Sequence, residues 1–169
     1  VTVEPILAKN GLEGQYNLDP NLGFVGLASN GGFAEFCVVD GGLVHKLPDN
    51  VDYEQGALTE PAAVALYAVK LKAGDSAGVC GCGPIGILII EALRAAGSTK
   101  IYAVELSPER QAKAKELGAS VFDPSKDDAV TYIKEQTNGG ADVSYEVTRV
   151  PKDLQQSIEG VKIDEECMV

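Results

Sequence analysis

The sequence predicts an α/β fold: a doubly wound parallel sheet over residues 61–169, preceded by an irregular β unit over residues 1–60. Three observations carry this. After Pro61, short apolar runs alternate with capped helical runs. A glycine-spaced turn, Gly81-Cys82-Gly83-Pro84-Ile85-Gly86, joins the first strand-like run to the helix after it. An acid, Glu105, closes the next strand-like run. Alternation of this kind implies parallel strands with helices on both faces, because parallel neighbours need crossover connections.

The first 60 residues read as short strands at 1–3, Phe33–Val39 and 43–47, with a loop-like, Gly- and Asn-punctuated stretch between Asn10 and Asn30. Cys37 falls inside the second of these and reads as core. Pro61–Val69 then reads as an apolar helix with proline at its first position. Ala77–Cys80 is a short strand, and Pro84–Ala96 a helix stopped by Gly97. Lys100–Leu106 is the next strand. Ser107 caps the helix Pro108–Leu117, and Gly118 ends it. Ser120–Phe122 is a strand, and Ser125–Thr137 a helix with Ser125 and Asp128 at capping-box spacing. Asp142–Val147, Lys152–Glu159 and Glu166–Val169 complete the series as strand, helix and strand.

Composition narrows the function classes. The formal charge of −11 argues against nucleic acid or an anionic membrane as the main partner. No apolar run approaches the ~20 residues that span a bilayer, and no basic-then-apolar leader opens the sequence. The four cysteines, Cys37, Cys80, Cys82 and Cys167, form no CxxC pair, which suits reduced thiols in a cytoplasmic protein.

The glycine turn fits GxGxxG, with Glu105 about 20 residues further on at the end of the following strand. Each part has a physical task. Gly81 permits the tight turn, Gly83 lets the backbone approach a pyrophosphate, and Gly86 lets the helix pack closely on the sheet. The helix N-terminus, with Pro84 and Ile85, offers free N–H groups and the positive end of the helix dipole to an anion. Glu105 would accept hydrogen bonds from the adenosine ribose and repel a 2′-phosphate, favouring NAD over NADP. Arg110, one helix turn on, and Thr148 at a strand end join the candidate cofactor residues. The same turn also fits a purely structural role, a non-catalytic nucleotide-binding module, or an S-adenosylmethionine methyltransferase.

Further segments occur in a family order: Gly32-Phe33-Ala34-Glu35-Phe36, Lys46-Leu47-Pro48-Asp49, Glu54-Gln55-Gly56-Ala57-Leu58-Thr59-Glu60-Pro61, Ile101-Tyr102-Ala103-Val104-Glu105-Leu106-Ser107 and Asp142-Val143-Ser144-Tyr145-Glu146-Val147-Thr148. With the glycine turn they resemble the zinc-dependent medium-chain alcohol and polyol dehydrogenases. The 2,3-butanediol dehydrogenase branch is the nearest likeness, with sorbitol dehydrogenases next. The resemblance implies part of a GroES-like catalytic domain over 1–60 and a Rossmann domain over 61–169, incomplete at its C-terminal end. It implies NAD and zinc as cofactors, a small alcohol or ketone substrate, and a homodimer or homotetramer. Zinc-free reductases of the quinone reductase type remain an alternative.

Of the zinc ligands that the resemblance implies, only Glu60 has a match. Its carboxylate also suits a helix N-terminus before Pro61, and both readings stay open. The family's early Cys and His-Glu pair would precede Val1, so no catalytic residue is assigned. His45, the single histidine, matches no zinc position and reads as structural. Cys82 is a candidate exposed, reactive thiol. The segments at 9–14 and 70–72 are shorter than the family pattern, and no structural-zinc cysteines stand near Leu7–Leu18. Arg149 and Asp164-Glu165 stand where the pattern has glycine, and a side chain at Arg149 would crowd the adenosine side of the site.

Overall fold

The computed structural model describes residues 1–8, 15–72 and 74–169, so the shortened segment at 9–14 lies outside the described residues. The chain divides into two compact units, Val1–Glu60 and Pro61–Val169.

In the first unit, β1 (Thr2–Val3) pairs antiparallel with β4 (Val44–His45), and β2 (Ile6–Leu7) with β3 (Gly23–Phe24). Single 3₁₀ turns lie at Tyr16–Leu18 and Gly41–Leu43. His45 Nε2 lies 3.4 Å from Glu4 Oε2, a structural contact between β4 and the residue after β1. Helix α1 (Tyr53–Ala57) opens on a capping box: the Asp52 side chain accepts from the Gln55 N–H, and the Gln55 side chain accepts from the Asp52 N–H.

The second unit holds one five-stranded parallel sheet, in the order β7-β6-β5-β8-β9. Its strands are β5 (Ser76–Cys80), β6 (Lys100–Val104), β7 (Ser120–Phe122), β8 (Ala141–Glu146) and β9 (Val161–Met168). Its helices are α2 (Thr59–Ala68, which starts at the unit boundary), α3 (Pro84–Ala95), α4 (Pro108–Glu116), α5 (Ala129–Thr137) and α6 (Pro151–Glu159). Side chains alternate across the strands with period two and feed two cores. Ala77, Val79, Ile101, Ala103, Val143 and Tyr145 pack with Ile89, Ile90 and Leu93 of α3 and Ala114 of α4. Cys80 and Val104 pack with Ala129 and Ile133 of α5, beside Tyr102, Phe122 and Tyr132. The sheet is therefore covered on both faces, the doubly wound α/β arrangement that the alternation predicts. No helix among the described residues is long and apolar enough to cross a membrane.

Several local expectations change. Phe33–Val39 forms no strand, and Phe33, Phe36, Cys37 and Val38 are exposed. This apolar run finds no hydrogen-bonded neighbour among the described residues, and propensity alone does not hold an isolated strand. Cys37 is accordingly a surface thiol and not a core residue. α2 begins at Thr59, placing Pro61 at its third position; the first-turn N–H groups have no helical partner, so proline is tolerated there too. α5 begins at Ala129, capped by the Asp128 carboxylate on the Thr131 N–H, while Ser125 bonds Asp123 instead. β9 begins five residues earlier than its sequence suggests and carries a register shift opposite Ala141–Val143. Residues 70–72 follow α2 without regular structure, and the Lys72 N–H donates to Asp75 Oδ2.

Candidate functional site

The glycine turn leaves the carboxyl end of β5 and enters α3, at the point where the strand order reverses between β5 and β8. Open parallel sheets bind ligands at such a switch point. Gly81 takes φ +96°, a left-handed conformation that favours glycine. It is stitched to both neighbours: its N–H donates to the Val104 carbonyl, and the Cys80 carbonyl before it accepts from the Val147 N–H. A Cβ on Gly86 would sit 2.0 Å from the Gly81 carbonyl oxygen, so glycine there is a packing necessity. Gly83 differs. A Cβ on it would meet nothing within 4 Å, so the backbone faces open space at the entrance to α3. Gly83 is also the N-cap of α3 and supplies no capping side chain, and Pro84 is the first helical residue. Ile85 is half-buried against the main core.

Glu105 follows β6 and is only 7% exposed. Its Oε2 accepts from the Cys82 N–H at 2.8 Å, and its Oε1 accepts from the Ser107 N–H at 2.8 Å. Gln111 Nε2 donates to its main-chain carbonyl at 2.7 Å. The carboxylate is thus pinned between the glycine turn and the start of α4, with lone pairs left on both oxygens. Arg110 Nη1 lies 3.9 Å from Glu105 Oε2 on an exposed side chain. Ser107 is the N-cap of α4, but its side chain makes no cap bond.

Cys82 is 1% exposed, which overturns its reading as an exposed, reactive thiol. Burial, reinforced by the charge of Glu105, pushes that thiol up to about 12. The apolar strand before it continues into the turn and takes this side chain into the core with it.

On the other side of the turn, a Cβ on Gly81 would lie 2.6 Å from Thr148 Cγ2. Thr148 Oγ1 donates to Glu146 Oε1, and the Thr148 and Arg149 N–H groups bond the same oxygen. Glu146 adds to the residues expected from the sequence; its signal there is an acid near the end of a strand-like run, as at Glu105. Arg149 has φ +64°, the backbone conformation that glycine favours.

The structure therefore brings Gly81, Gly83, Pro84, Ile85, Gly86, Glu105, Arg110 and Thr148 to one end of the sheet. Glu60 is exposed in the first turn of α2. Among the described residues no three His, Cys, Asp or Glu side chains gather in a way that could hold a metal.

The zinc-binding dehydrogenase family profile matches residues 84–169, half of the chain. The chain belongs to the zinc-binding dehydrogenase family. Within it, the sequence is 62% identical to (R,R)-butanediol dehydrogenase of Bacillus subtilis strain 168, over the whole of this chain and 50% of that one. It is 33% identical to the sorbitol dehydrogenase of the same organism, over 89% of this chain and 44% of the relative. The crystal structure of the B. subtilis 2R,3R-butanediol dehydrogenase superposes with a TM-score of 0.92, covering 99% of this chain and 50% of that one. A Sinorhizobium meliloti 1021 structure bound to NADP gives the same TM-score at 30% identity, covering 98% of this chain and 52% of that one. The chain spans about half the length of these dehydrogenases.

Proposed function

We propose that this family member forms the NAD-binding part of a zinc-type dehydrogenase for secondary alcohols or vicinal diols of the 2,3-butanediol, acetoin or polyol type. The observation that carries the reading is the open space over Gly83, at an N-terminus of α3 that no side chain caps. A purely structural turn needs Gly81 and Gly86 but has no need of a bare backbone at Gly83. The likeness to a 62% identical butanediol dehydrogenase and to an NADP-bound structure supports a nicotinamide dinucleotide as the ligand.

In this reading the first N–H groups of α3 hold the pyrophosphate. Glu105, already oriented by Cys82 and Ser107, offers its remaining lone pairs to the adenosine ribose hydroxyls. Its negative charge at that spot favours NAD over a 2′-phosphorylated cofactor. Arg110 lies alongside the same carboxylate, and Thr148 forms the opposite wall. The nicotinamide, when bound, supplies hydride chemistry at the carbon that bears the hydroxyl. Glu60 would contribute one carboxylate toward zinc; the described residues do not assemble a metal site around it. Residues 1–60 as part of a GroES-like domain, 61–169 as the Rossmann domain, a small alcohol or ketone substrate, a homodimer or homotetramer and a cytoplasmic setting belong to the same reading.

A pair of alanine substitutions tests it. Gly83→Ala adds a methyl group to open space at an ordinary φ of −68°, so the thermal midpoint should stay at the parent value. NADH affinity, measured by titration calorimetry, should fall about tenfold or more as the methyl displaces the pyrophosphate. Gly86→Ala should instead destabilise the fold by roughly 1–3 kcal/mol through overpacking. NADH binding unchanged by Gly83→Ala would reduce the turn to a structural element.

A further inference from the structure

We propose that Glu146 is a positioning residue of the dinucleotide cradle, locking the turn at residues 147–150 onto the first glycine of the loop. The proposal rests on the cofactor reading above, and adds a residue that acts on the cradle from outside it. Glu146 ends β8 and pairs with Cys80, the last residue of β5, so it stands beside the switch point. It is 7% exposed, and a carboxylate this sheltered needs donors.

All three of its donors converge on one oxygen. Oε1 accepts from the Thr148 N–H at 2.6 Å, from Thr148 Oγ1 at 2.5 Å and from the Arg149 N–H at 3.2 Å. Thr148 Oγ1 in turn accepts from the Val150 N–H at 3.0 Å. The set holds Arg149 at φ +64°, a conformation that side-chain-bearing residues resist. The turn so held lies directly on the glycine loop. Thr148 Cγ2 would be 2.6 Å from a Cβ at Gly81, and Val147 Cγ2 3.2 Å from a Cβ at Gly86. The two glycines leave room for nothing more than hydrogen on this side, so a shift of residues 147–149 toward the loop would press on Gly81 and the entrance to α3.

Four variants of the full chain test this: Glu146→Gln, Glu146→Ala, Arg149→Gly, and the double variant Glu146→Ala with Arg149→Gly. Two quantities are read: amide exchange at Thr148 and Arg149, and NADH affinity by calorimetry. Glu146→Ala should lose protection at both amides and weaken NADH about tenfold. Glu146→Gln keeps an oxygen at the Oε1 position and should stay within about threefold of the parent. Adding Arg149→Gly to Glu146→Ala should recover most of the lost affinity, because glycine adopts the turn without being held. Parent-like protection and affinity in Glu146→Ala overturn the proposal. So does a loss of affinity that neither glutamine nor the second substitution repairs, which marks a general loss of packing. If the parent chain itself fails to bind NADH, the cofactor reading fails with it. Amide exchange then decides separately whether Glu146 holds the turn: lost protection in Glu146→Ala shows that it does, and retained protection that it does not.

Discussion

The cysteines show how one residue type takes on opposite chemistry according to where the chain places it. Cys80 and Cys82 are buried on either side of Gly81, and burial pushes both thiols up to about 12. Cys37 lies exposed, and Cys167 half-buried against Ser157. Thiolate is the reactive form, so alkylation of the native chain at about pH 8 should label Cys37 first and leave Cys80 and Cys82 untouched until denaturant is added. Mass spectrometry of the labelled peptides checks this, and early label on Cys82 would contradict its burial. The same shifts fix a pH dependence. A thiol raised in the folded state keeps its full stabilising effect below its unfolded value of 9.0 and loses it as pH rises toward 12, because unfolding then releases the proton. The urea midpoint should therefore fall above about pH 9, and Cys80→Ala should flatten that fall. Arg149 and Asp164 make a related point about backbone. Both take positive φ, 64° and 71°, a conformation that glycine adopts more readily. The conformation belongs to the fold, and the side chain has to accommodate it.

Strands of the sheet are joined at both ends by carboxylates, and the two ends do different things. At the carboxyl ends, Glu105 and Glu146 organise loops around the glycine turn. At the opposite end, Asp142 of β8 accepts from the N–H and Oγ of Ser76 at the head of β5, each at 2.7 Å, and pairs with Lys162 of β9. Burial works to raise the Asp142 carboxyl, but the bonds from Lys162 and Ser76 outweigh it and hold it at about 2. A lowered carboxyl contributes stability that is present above the ordinary value of 3.8 and lost as pH falls through about 2. Asp142→Asn should cost roughly 1–3 kcal/mol in urea unfolding at neutral pH. It should also flatten the acid-side loss of stability between about pH 4 and 2. Parallel acid curves for parent and variant would remove Asp142 as the clasp. Elements of this second unit were legible because their signals are local: Pro84 and Pro108 each open a helix at its first position, and the strands between are short apolar runs, while Pro151 opens α6 one residue before the expected start. The glycine turn and Glu105 were legible by spacing. What sequence left hidden depends on partners far along the chain. Phe33–Val39 is rich in strand-forming residues but has no neighbour to pair with among the described residues, and Ser125 and Asp128 compete for a cap that only the final geometry awards to Asp128. Glu146 takes its role from residues that follow it, in a turn whose closeness to Gly81 no spacing rule reports.

At the scale of the whole molecule, the two units are held by different amounts of core. Among the described residues, every buried apolar side chain, from Ala65 to Tyr145, belongs to Pro61–Val169. The described residues of Val1–Glu60 form two antiparallel pairs of two-residue strands, and Leu27, Phe33, Phe36 and Val38 are exposed around a groove of about 730 Å³. Short strand pairs without a buried apolar face are marginal by themselves, whereas a sheet covered on both faces carries the cooperative stability of its domain. Hydrogen exchange on the full chain should therefore show slow, uniform protection in β5, β6 and β8 and fast exchange in residues 1–8 and 15–60. Limited proteolysis should follow the same division, because cleavage samples segments that open locally at little cost. The expected product begins near Pro61, keeps the parent's thermal midpoint and retains the glycine turn, Glu105 and Glu146 together. It should bind NADH as the uncut chain does, because every proposed cofactor residue from Gly81 to Thr148 lies within it. Equal protection across both units, or loss of the cooperative transition on cleavage near Pro61, would show that residues 1–60 share the stability of the sheet.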